Sequence, residues 1–201
     1  MEYQLNALRK AGVVECTIVV GYMADAVRDY FGASYRGLNL SYVENTAYAE
    51  TNNLYSFWMA RAELDDDTLL LEADLVFDTQ LVSQLVSMDE SNVAIVDRYQ
   101  SSMDGTVILA SGDFAESMVL KSDQGRWFDY RTALKTVNIY RLSKETLANV
   151  ILPEMEAFLN DGRTGQNYEA VFASLIVSGR MAMAVLNTGN KKWAEIDTLD
   201  D

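Results

Sequence analysis

Short apolar runs alternate with amphipathic stretches along the first hundred residues. The apolar runs are of strand length and rich in β-branched residues, which predicts β-strands. The predicted strands cover residues 13–20, 38–43, 68–78 and 92–97. The amphipathic stretches predict helices, which cover residues 2–10, 24–31, 54–60 and 79–88. This alternation of strand and helix is typical of a doubly wound, parallel α/β sheet.

The run at residues 68–78, TLLLEADLVFD, is the most prominent of these. It is short and apolar enough to be a strand buried on both faces, as in the centre of a parallel sheet. Asp74 stands where the apolar run ends, and the carboxyl ends of strands face the ligand crevice in open α/β sheets. A carboxylate there needs a partner such as a metal ion. The alternative is that Asp74 caps the following turn or helix.

The pattern changes between residues 98 and 142. Short β-like pieces with Asp-Gly and Gln-Gly turns predict a small antiparallel excursion at one sheet edge. These pieces cover residues 106–110, 117–121 and 135–142. The remaining predicted elements are helices at 143–160 and 167–178 and strands at 181–186 and 193–196. The predicted fold class is therefore α/β, with a mostly parallel sheet and helices on both faces.

The composition of the chain excludes several kinds of binding and catalysis, whereas it says little about the fold. A chain of 201 residues suits one domain, covering residues 1–201. The net charge of −14 argues against broad electrostatic binding to nucleic acid or to an anionic membrane. The single cysteine, Cys16, indicates a reducing cytoplasm. Because histidine is absent, catalysis must use carboxylates, Lys, Arg, hydroxyls or a hard metal ion bound by oxygen.

Two carboxylates follow short predicted strands, Asp74 and Asp197. Magnesium prefers one or two carboxylates, with waters and substrate phosphates completing its octahedron. The two residues therefore form a candidate Mg²⁺ site. The alternative for Asp197 is an ordinary acidic C-terminal tail.

A polar loop precedes the predicted helix at 54–60, and its side chains offer both donors and acceptors. Such side chains suit recognition of a base edge or a ribose. The candidates are Thr51, Asn52, Asn53 and Ser56. Thr51 or Asn52 capping the helix is the alternative. Lys135 begins a predicted strand and can meet a phosphate as a point charge, or be a solvated edge lysine.

Aromatic residues and a few acids are candidates for binding a cationic group. Aromatic rings can enclose a quaternary ammonium through cation–π contacts, although most of them are expected in the core. The aromatic candidates are Trp58, Trp127, Phe128, Tyr130, Tyr168 and Trp193. Asp104 and Glu169 can neutralise such a group, although Asp104 stands in an Asp-Gly pair, which first of all predicts a turn.

Several segments together resemble the nucleotidyltransferase superfamily, and most of all its phosphocholine and 2-aminoethylphosphonate cytidylyltransferases. The segments are YQLNALRKAGVVECTIVVGYMADAVRDYF, ENTAYAETNNLYSFWMA, LLLEADLVFD, KTVNIYRLS and WAEIDT. The resemblance implies a Rossmann-like nucleotidyltransferase fold that binds CTP and Mg²⁺. It also implies transfer of CMP to a phosphorylated or phosphonate amino-alcohol, with release of pyrophosphate.

The resemblance also implies roles for individual residues. Asp74 and Asp197 would be the metal carboxylates, and the metal and Lys residues, for which Lys135 is the candidate named above, would stabilise charge on the phosphates. The loop with Thr51, Asn52, Asn53 and Ser56 would face the cytosine and ribose. The cationic end of the acceptor would meet Asp104, Tyr168, Glu169 and Glu195.

The chain departs from the family pattern at both ends. Family members begin with a strand and a Gly-rich loop carrying Arg and Lys, and they continue into a helix after the E-I-D-T segment. We therefore expect a domain truncated at both ends, either as a truncated reading frame or as one piece of a longer, fused protein. Without that loop a triphosphate loses its main binding groups, so we expect weak catalysis. An unpaired sheet neighbour would also favour a homo-oligomer.

Two other functions remain open at this point. One is a sugar-1-phosphate nucleotidyltransferase, which would have the same fold and a different acceptor. The other is a nucleotide-binding module without catalysis. A screen of acceptors and nucleotides separates the first from a cytidylyltransferase, and CTP binding without turnover would indicate the second.

Overall fold

A computed structural model describes residues 1–196 of the chain. Most predicted helices and strands are present in it, in the predicted order. In chain order the elements are α1 (Glu2–Lys10), β1 (Glu15–Val20), α2 (Ala24–Phe31), β2 (Ser34–Tyr35), β3 (Leu38–Glu44), α3 (Asn53–Met59), β4 (Thr68–Leu71), β5 (Leu75–Phe77), α4 (Gln80–Val86), β6 (Asn92–Arg98), β7 (Val107–Ser111), β8 (Phe114–Val119), β9 (Leu134–Leu142), α5 (Lys144–Thr146), α6 (Leu152–Asn160), α7 (Tyr168–Val177), β10 (Ala184–Asn187) and β11 (Trp193–Glu195). A π-helical segment, Leu147–Ile151, joins α5 to α6.

The largest sheet is mixed, so the prediction of a mostly parallel sheet is wrong. Its six strands lie in the order β4-β9-β6-β10-β8-β7. Within it β6 and β10 pair in parallel, whereas β9 runs antiparallel to β4, β6 and β7. A separate sheet pairs β1 with β3 in parallel and β2 with β3 antiparallel. The apolar runs misled the prediction because they arise from helices on both faces of the sheet, and not from parallel pairing.

The run at residues 68–78 is not one buried central strand. It forms β4, which pairs with β9, and β5, which pairs with β11 in a small ribbon. The two strands are separated by a turn at Glu72, Ala73 and Asp74, and the residues of β4 are only half-buried. The charged turn therefore divides the run and holds its two carboxylates between the strands.

Two hydrophobic cores lie on opposite faces of the central strands. Alternate residues of β6 point to opposite sides, since Val93 and Ile95 belong to one core and Ala94 and Val96 to the other. One core is covered by α1 and α4, and the other by α3, α6 and α7. No helix within residues 1–196 is long and apolar enough to cross a membrane.

A bulge in β9 interrupts its pairing with β6. Ala94 pairs with Tyr140 and Val96 with Thr136, so extra residues of β9 lie between the two pairs. At the centre of this segment, Asn138 adopts a left-handed backbone conformation with φ of 59°. Asn is one of the few residues other than Gly that tolerates this conformation. A bulge of this kind re-aims the side chain that it carries.

The valines of α4 give a matched test of the core. Val82 is fully buried, whereas Val86, one turn later, is 41% exposed. We expect Val82→Ala to lower the free energy of unfolding by about 1–3 kcal/mol, because it leaves a cavity in a packed core. Val86→Ala should change it by no more than about 0.5 kcal/mol. Urea denaturation measures both, and equal losses would contradict the arrangement.

Candidate active site

Glu72, in the turn after β4, is the meeting point of several elements. Its Oε1 accepts hydrogen bonds from Asn53 Nδ2 and from the Tyr168 hydroxyl, both at 2.9 Å. Its Oε2 accepts from Asn138 Nδ2 at 3.1 Å. One carboxylate therefore ties the start of α3, the start of α7 and the bulge of β9 together.

Two further glutamates lie near Glu72, and we call Glu72, Glu169 and Glu195 the carboxylate cluster. Burial raises the pKa of Glu72 to about 7, and the charges of Glu169, Asp74 and Glu195 act in the same direction. The hydrogen bond from Tyr168 acts in the opposite direction. The turn after β4 thus brings carboxyl groups together in a partly buried position, where the pKa of Glu72 lies near neutrality.

Lys135, at the start of β9, is the cation that contacts this cluster within the described residues. Its side chain is almost fully buried, and its Nζ donates to Glu195 Oε1 at 3.0 Å and to the Thr136 carbonyl at 2.8 Å. The Nζ also lies 5.8 Å from the centroid of the Trp193 ring. This burial excludes the alternative of a solvated edge lysine.

Gly105 allows the backbone to approach the Lys135 ammonium. Its φ is +96°, a conformation that L side chains rarely adopt, and a Cβ there would lie 3.2 Å from Lys135 Nζ. The chain bends at Gly105 and packs over the lysine, whereas the hydrogen-bonded turn lies just before the Asp-Gly pair, where Met103 N donates to the Gln100 carbonyl. The side chain of Asp104 itself forms an ion pair with Lys121 and is 75% exposed.

Glu169, in the first turn of α7, is held by hydroxyl groups. Its Oε1 accepts from the Tyr140 hydroxyl at 3.2 Å and from Thr136 Oγ1 at 3.4 Å. Burial raises the pKa of Glu169, whereas the positive charge of Lys135 lowers it. The adjacent Tyr168 is buried in the aromatic core, and its hydroxyl reaches Glu72.

The polar loop before α3 is organised by a buried asparagine that follows β3. Asn45 Nδ2 donates to Thr51 Oγ1 and to Ser56 Oγ, both at 3.1 Å, and its Oδ1 accepts from Ala47 N at 3.0 Å. Asn52 is the N-cap residue of α3, so it does what its alternative interpretation predicts. The loop is therefore fixed as a unit beside the end of β3.

The four candidates do not all lie in the loop, since Asn53 and Ser56 belong to α3, and they do not all lie together. Thr51 and Ser56 share Asn45 as a partner. Asn53 instead joins the carboxylate cluster, since it bonds Glu72 through Nδ2 and accepts from Tyr168 N at 2.9 Å through Oδ1.

Asp74 lies next to Ile196, the last residue that the structure describes. The backbone N–H of Ile196 donates to the carbonyl oxygen of Asp74 at 2.9 Å, which extends the pairing of β5 with β11. Asp197, the second predicted metal carboxylate, lies outside the described residues. Within residues 1–196 no group of three or more Cys, Asp or Glu side chains is arranged to hold a metal ion. Because Mg²⁺ needs only one or two carboxylates, Asp74 beside a nucleotide's phosphates is a compatible donor.

Most of the aromatic candidates are already engaged elsewhere. Trp58 stacks with the Arg61 guanidinium at 4.7 Å, and Tyr130 stacks on Tyr99 at 4.1 Å between ring centroids. Trp127 is 87% exposed, with Arg126 over its ring. Of the aromatic candidates, Tyr168 and Trp193 lie next to the carboxylate cluster.

Three polar residues of the site were not predicted as site residues from the sequence: Asn45, Glu72 and Asn138. Glu72 lies only two residues before Asp74, and its position after a strand was a usable signal. Asn138 interrupts the apolar alternation of KTVNIY, where a residue of low strand propensity is unusual. Asn45 looked like an ordinary loop residue, and only its burial reveals its role.

Comparison with known sequences identifies relatives of one kind. No protein-family model matches the chain. It is 33% identical over 203 residues to the CMP-5'-(3-aminopropyl)phosphonate synthase of Streptomyces rubellomurinus, covering all of this chain and 32% of that protein. It is 25% identical over 222 residues to the CTP:phosphoglutamine cytidylyltransferase of Campylobacter jejuni, covering 84% of it. The chain thus spans about a third of the length of the first relative and most of the second.

Comparison of structures decides the fold. The CTP:phosphocholine cytidylyltransferase of Streptococcus pneumoniae superposes with a TM-score of 0.77 at 19% identity, covering 99% of this chain and 80% of that one. This chain has the nucleotidyltransferase fold. The predicted resemblance to nucleotidyltransferases, and among them to cytidylyltransferases, is confirmed. In the nucleotidyltransferase fold of this chain, the carboxylate cluster and the Asn45 loop both contact the first turn of α3, through Asn53 and Ser56.

Asn45→Ala tests how the polar loop is held. The substitution removes three hydrogen bonds of a buried side chain, so we expect the loop to be destabilised by about 1–3 kcal/mol. Hydrogen exchange at the amides of Thr51 and Asn52 should accelerate. Asn39→Ala, on the exposed side of β3, is the control and should leave these amides unchanged. Unchanged hydrogen exchange in Asn45→Ala would contradict the conclusion that Asn45 holds the loop.

Proposed function

We propose that the chain catalyses Mg²⁺-dependent transfer of CMP from CTP to a phosphorylated or phosphonate amino-alcohol, with release of pyrophosphate. The relatives named above support the nucleotide, since their names contain CMP or CTP and a phosphonate or phosphate acceptor. The observation that carries the proposal is the buried Lys135 within the carboxylate cluster beside Asp74. This arrangement offers the Lys135 ammonium group to a phosphate and the carboxyl groups of the cluster to a cation.

The nucleotide would bind between the Asn45 loop and the turn after β4. Thr51, Asn52 and Ser56 offer hydroxyl and amide groups for the cytosine and ribose. Lys135 uses two of its N–H donors within the described residues, which leaves a third for a phosphate oxygen. Its burial would strengthen that contact, because charges interact more strongly away from water.

Magnesium would be held by Asp74 and Asp197 and would neutralise charge on the nucleotide's phosphates. The hydrogen bond from Ile196 N to the Asp74 carbonyl places the last described residue beside Asp74.

The acceptor would lie against the carboxylate cluster. Glu169 and Glu195 present carboxyl groups there, and Tyr168 contributes a hydroxyl that already contacts Glu72. Asp104 would act from the rim, since its side chain is exposed and paired with Lys121. A sugar phosphate offers no cation to these carboxylates, so the arrangement favours an amino-alcohol over the sugar-1-phosphate alternative.

In the proposed reaction, an oxygen of the acceptor's phosphate or phosphonate attacks the α-phosphorus of CTP in line. The new P–O bond forms as the bond from the α-phosphorus to the bridging oxygen breaks, and pyrophosphate leaves. No proton transfer from a histidine is needed. The protein contributes positioning of both substrates and a lysine charge near the phosphates.

Pyrophosphate release tests the proposal directly. We expect release from CTP that requires both Mg²⁺ and an amino-alkyl phosphate or phosphonate, that stops with EDTA and that returns with added Mg²⁺. UTP or dTTP with glucose-1-phosphate should give much less. Turnover with the sugar phosphate alone would contradict the proposed acceptor, and CTP binding without any turnover would indicate a non-catalytic module.

Asp74→Ala tests the metal carboxylate. We expect kcat/KM for CMP transfer to fall by about a hundredfold or more, because charge on the phosphates is no longer neutralised. Asp113→Ala removes an exposed carboxylate from the turn between β7 and β8 and should retain the activity. Matching melting temperatures would show that both variants fold. Normal turnover by Asp74→Ala would argue strongly against the mechanism.

A further inference from the structure

The carboxylate cluster holds more carboxyl groups than cations. Glu72, Glu169 and Glu195 bring three carboxylates together, whereas within residues 1–196 Lys135 is the cation that contacts them. Glu72 and the side chain of Glu195, which is 27% exposed, remain partly open to solvent. A ligand that supplies positive charge and N–H donors would therefore complement this part of the site.

Asn138 gives an independent indication of such a ligand. It is about nine-tenths buried, and its Nδ2 donates to Glu72 Oε2 at 3.1 Å and to Glu195 Oε1 at 3.3 Å. Its Oδ1 is buried and accepts no hydrogen bond from the residues that the structure describes. A buried acceptor without a donor costs free energy. The bulge of β9 nevertheless keeps this side chain between the two carboxylates.

The geometry of an amide links this unused oxygen to the cluster. The amide oxygen and one N–H of the amide nitrogen lie on the same edge of the group. A donor bound to Asn138 Oδ1 on that edge therefore lies next to the carboxylate that accepts from Nδ2. A group with several N–H donors can bond the amide oxygen and that carboxylate together.

We propose that Glu72, Asn138 and Glu195 bind a primary ammonium group of the acceptor, and that Asn138 makes the site select it over a quaternary ammonium. The inference rests on the proposed function for the identity of the acceptor's other end. A primary ammonium carries three N–H donors, as a lysine side chain does, whereas a trimethylammonium carries none. Methylation of the nitrogen would leave Asn138 Oδ1 unsatisfied and would push the charge away from the carboxylates.

The aromatic rings near the cluster also favour a primary ammonium. A quaternary ammonium is recognised through the open faces of aromatic rings. Tyr140 and Tyr168 are buried and pack edge to face on each other at 5.8 Å between centroids. The ring of Trp193 already has the Lys135 ammonium near it. The rings are thus engaged within the protein, and hydrogen-bond acceptors remain to recognise the cation.

A metal ion fits this position less well than an ammonium group. Both N–H groups of Asn138 already point at carboxylates, and a metal would compete for the same oxygens. The described residues contain no group of three or more acidic or cysteine side chains arranged for a metal ion. Asp74, the candidate magnesium ligand, lies in the same turn as Glu72, two residues later in the chain.

Phosphoethanolamine and phosphocholine provide the test, since they differ only in the methyl groups on nitrogen. We expect calorimetry on the full chain to show phosphoethanolamine binding at least about tenfold more tightly, because the methylated analogue leaves polar groups unpaired. Asn138→Gly retains the left-handed backbone and removes the amide. In this variant the two affinities should converge.

Arg36→Gly is the matched control, because Arg36 has a φ of 50° in the exposed turn between β2 and β3. It should retain the preference of the unchanged chain. Equal binding of the two ligands, binding of neither, or an Asn138→Gly variant that keeps the preference would each overturn the proposal. The comparison on the unchanged chain decides the matter even where the variant does not fold.

Pyrophosphate release from CTP with each ligand separates this inference from the proposed function. Selective binding of phosphoethanolamine without pyrophosphate release would contradict the proposed function and support the ammonium site. Release at equal kcat/KM with both acceptors would support the proposed function and overturn the ammonium site.

Discussion

The arrangement of the site depends on the hydrogen bonds that Glu72 accepts. A half-buried carboxylate is costly unless donors satisfy it, and here the donors come from α3, α7 and the bulge of β9. The same requirement aligns these three elements with the turn that carries Asp74. Lys135 adds a buried positive charge on the opposite side of the cluster, so that one ion pair accompanies three carboxylates. The site is therefore a polar network supported by two apolar cores.

Much of this architecture follows from local sequence patterns. Residues 2–10 and 24–31 form helices as predicted, because their apolar spacing and flanking glycines act within a few residues. The likeness to cytidylyltransferases was also visible in short motifs. The antiparallel direction of β9 was not visible in the sequence, since strand pairing depends on residues far apart in the chain. The stretch at 68–78 contains the acidic Glu72-Ala73-Asp74 insertion, but the sequence alone does not show that its two halves pair in different sheets.

The candidate site, like the fold, could be predicted only in part, because local patterns do not show which residues distant in the chain become partners. Charged residues such as Asp74, Lys135 and Glu195 are conspicuous in apolar surroundings, so the sequence draws attention to them. Asn138 and Asn45 are neutral, and their importance comes from burial and from partners that are distant in the chain. The burial of Lys135 and its pairing with Glu195 exclude only the alternative of a solvated edge lysine, and Asp104 turned out to be exposed and paired with Lys121.

The central position of β9 has a consequence for how the polypeptide acquires its structure. β9 lies between β4 and β6, yet it follows β4 by more than sixty residues in the chain. Such long-range pairing slows folding, because a large loop must close before its contacts contribute. During synthesis on the ribosome, the edges of β4 and β6 that pair with β9 remain unpaired until residues 134–142 emerge from the exit tunnel. Chaperones that bind nascent chains would have their greatest effect during that interval.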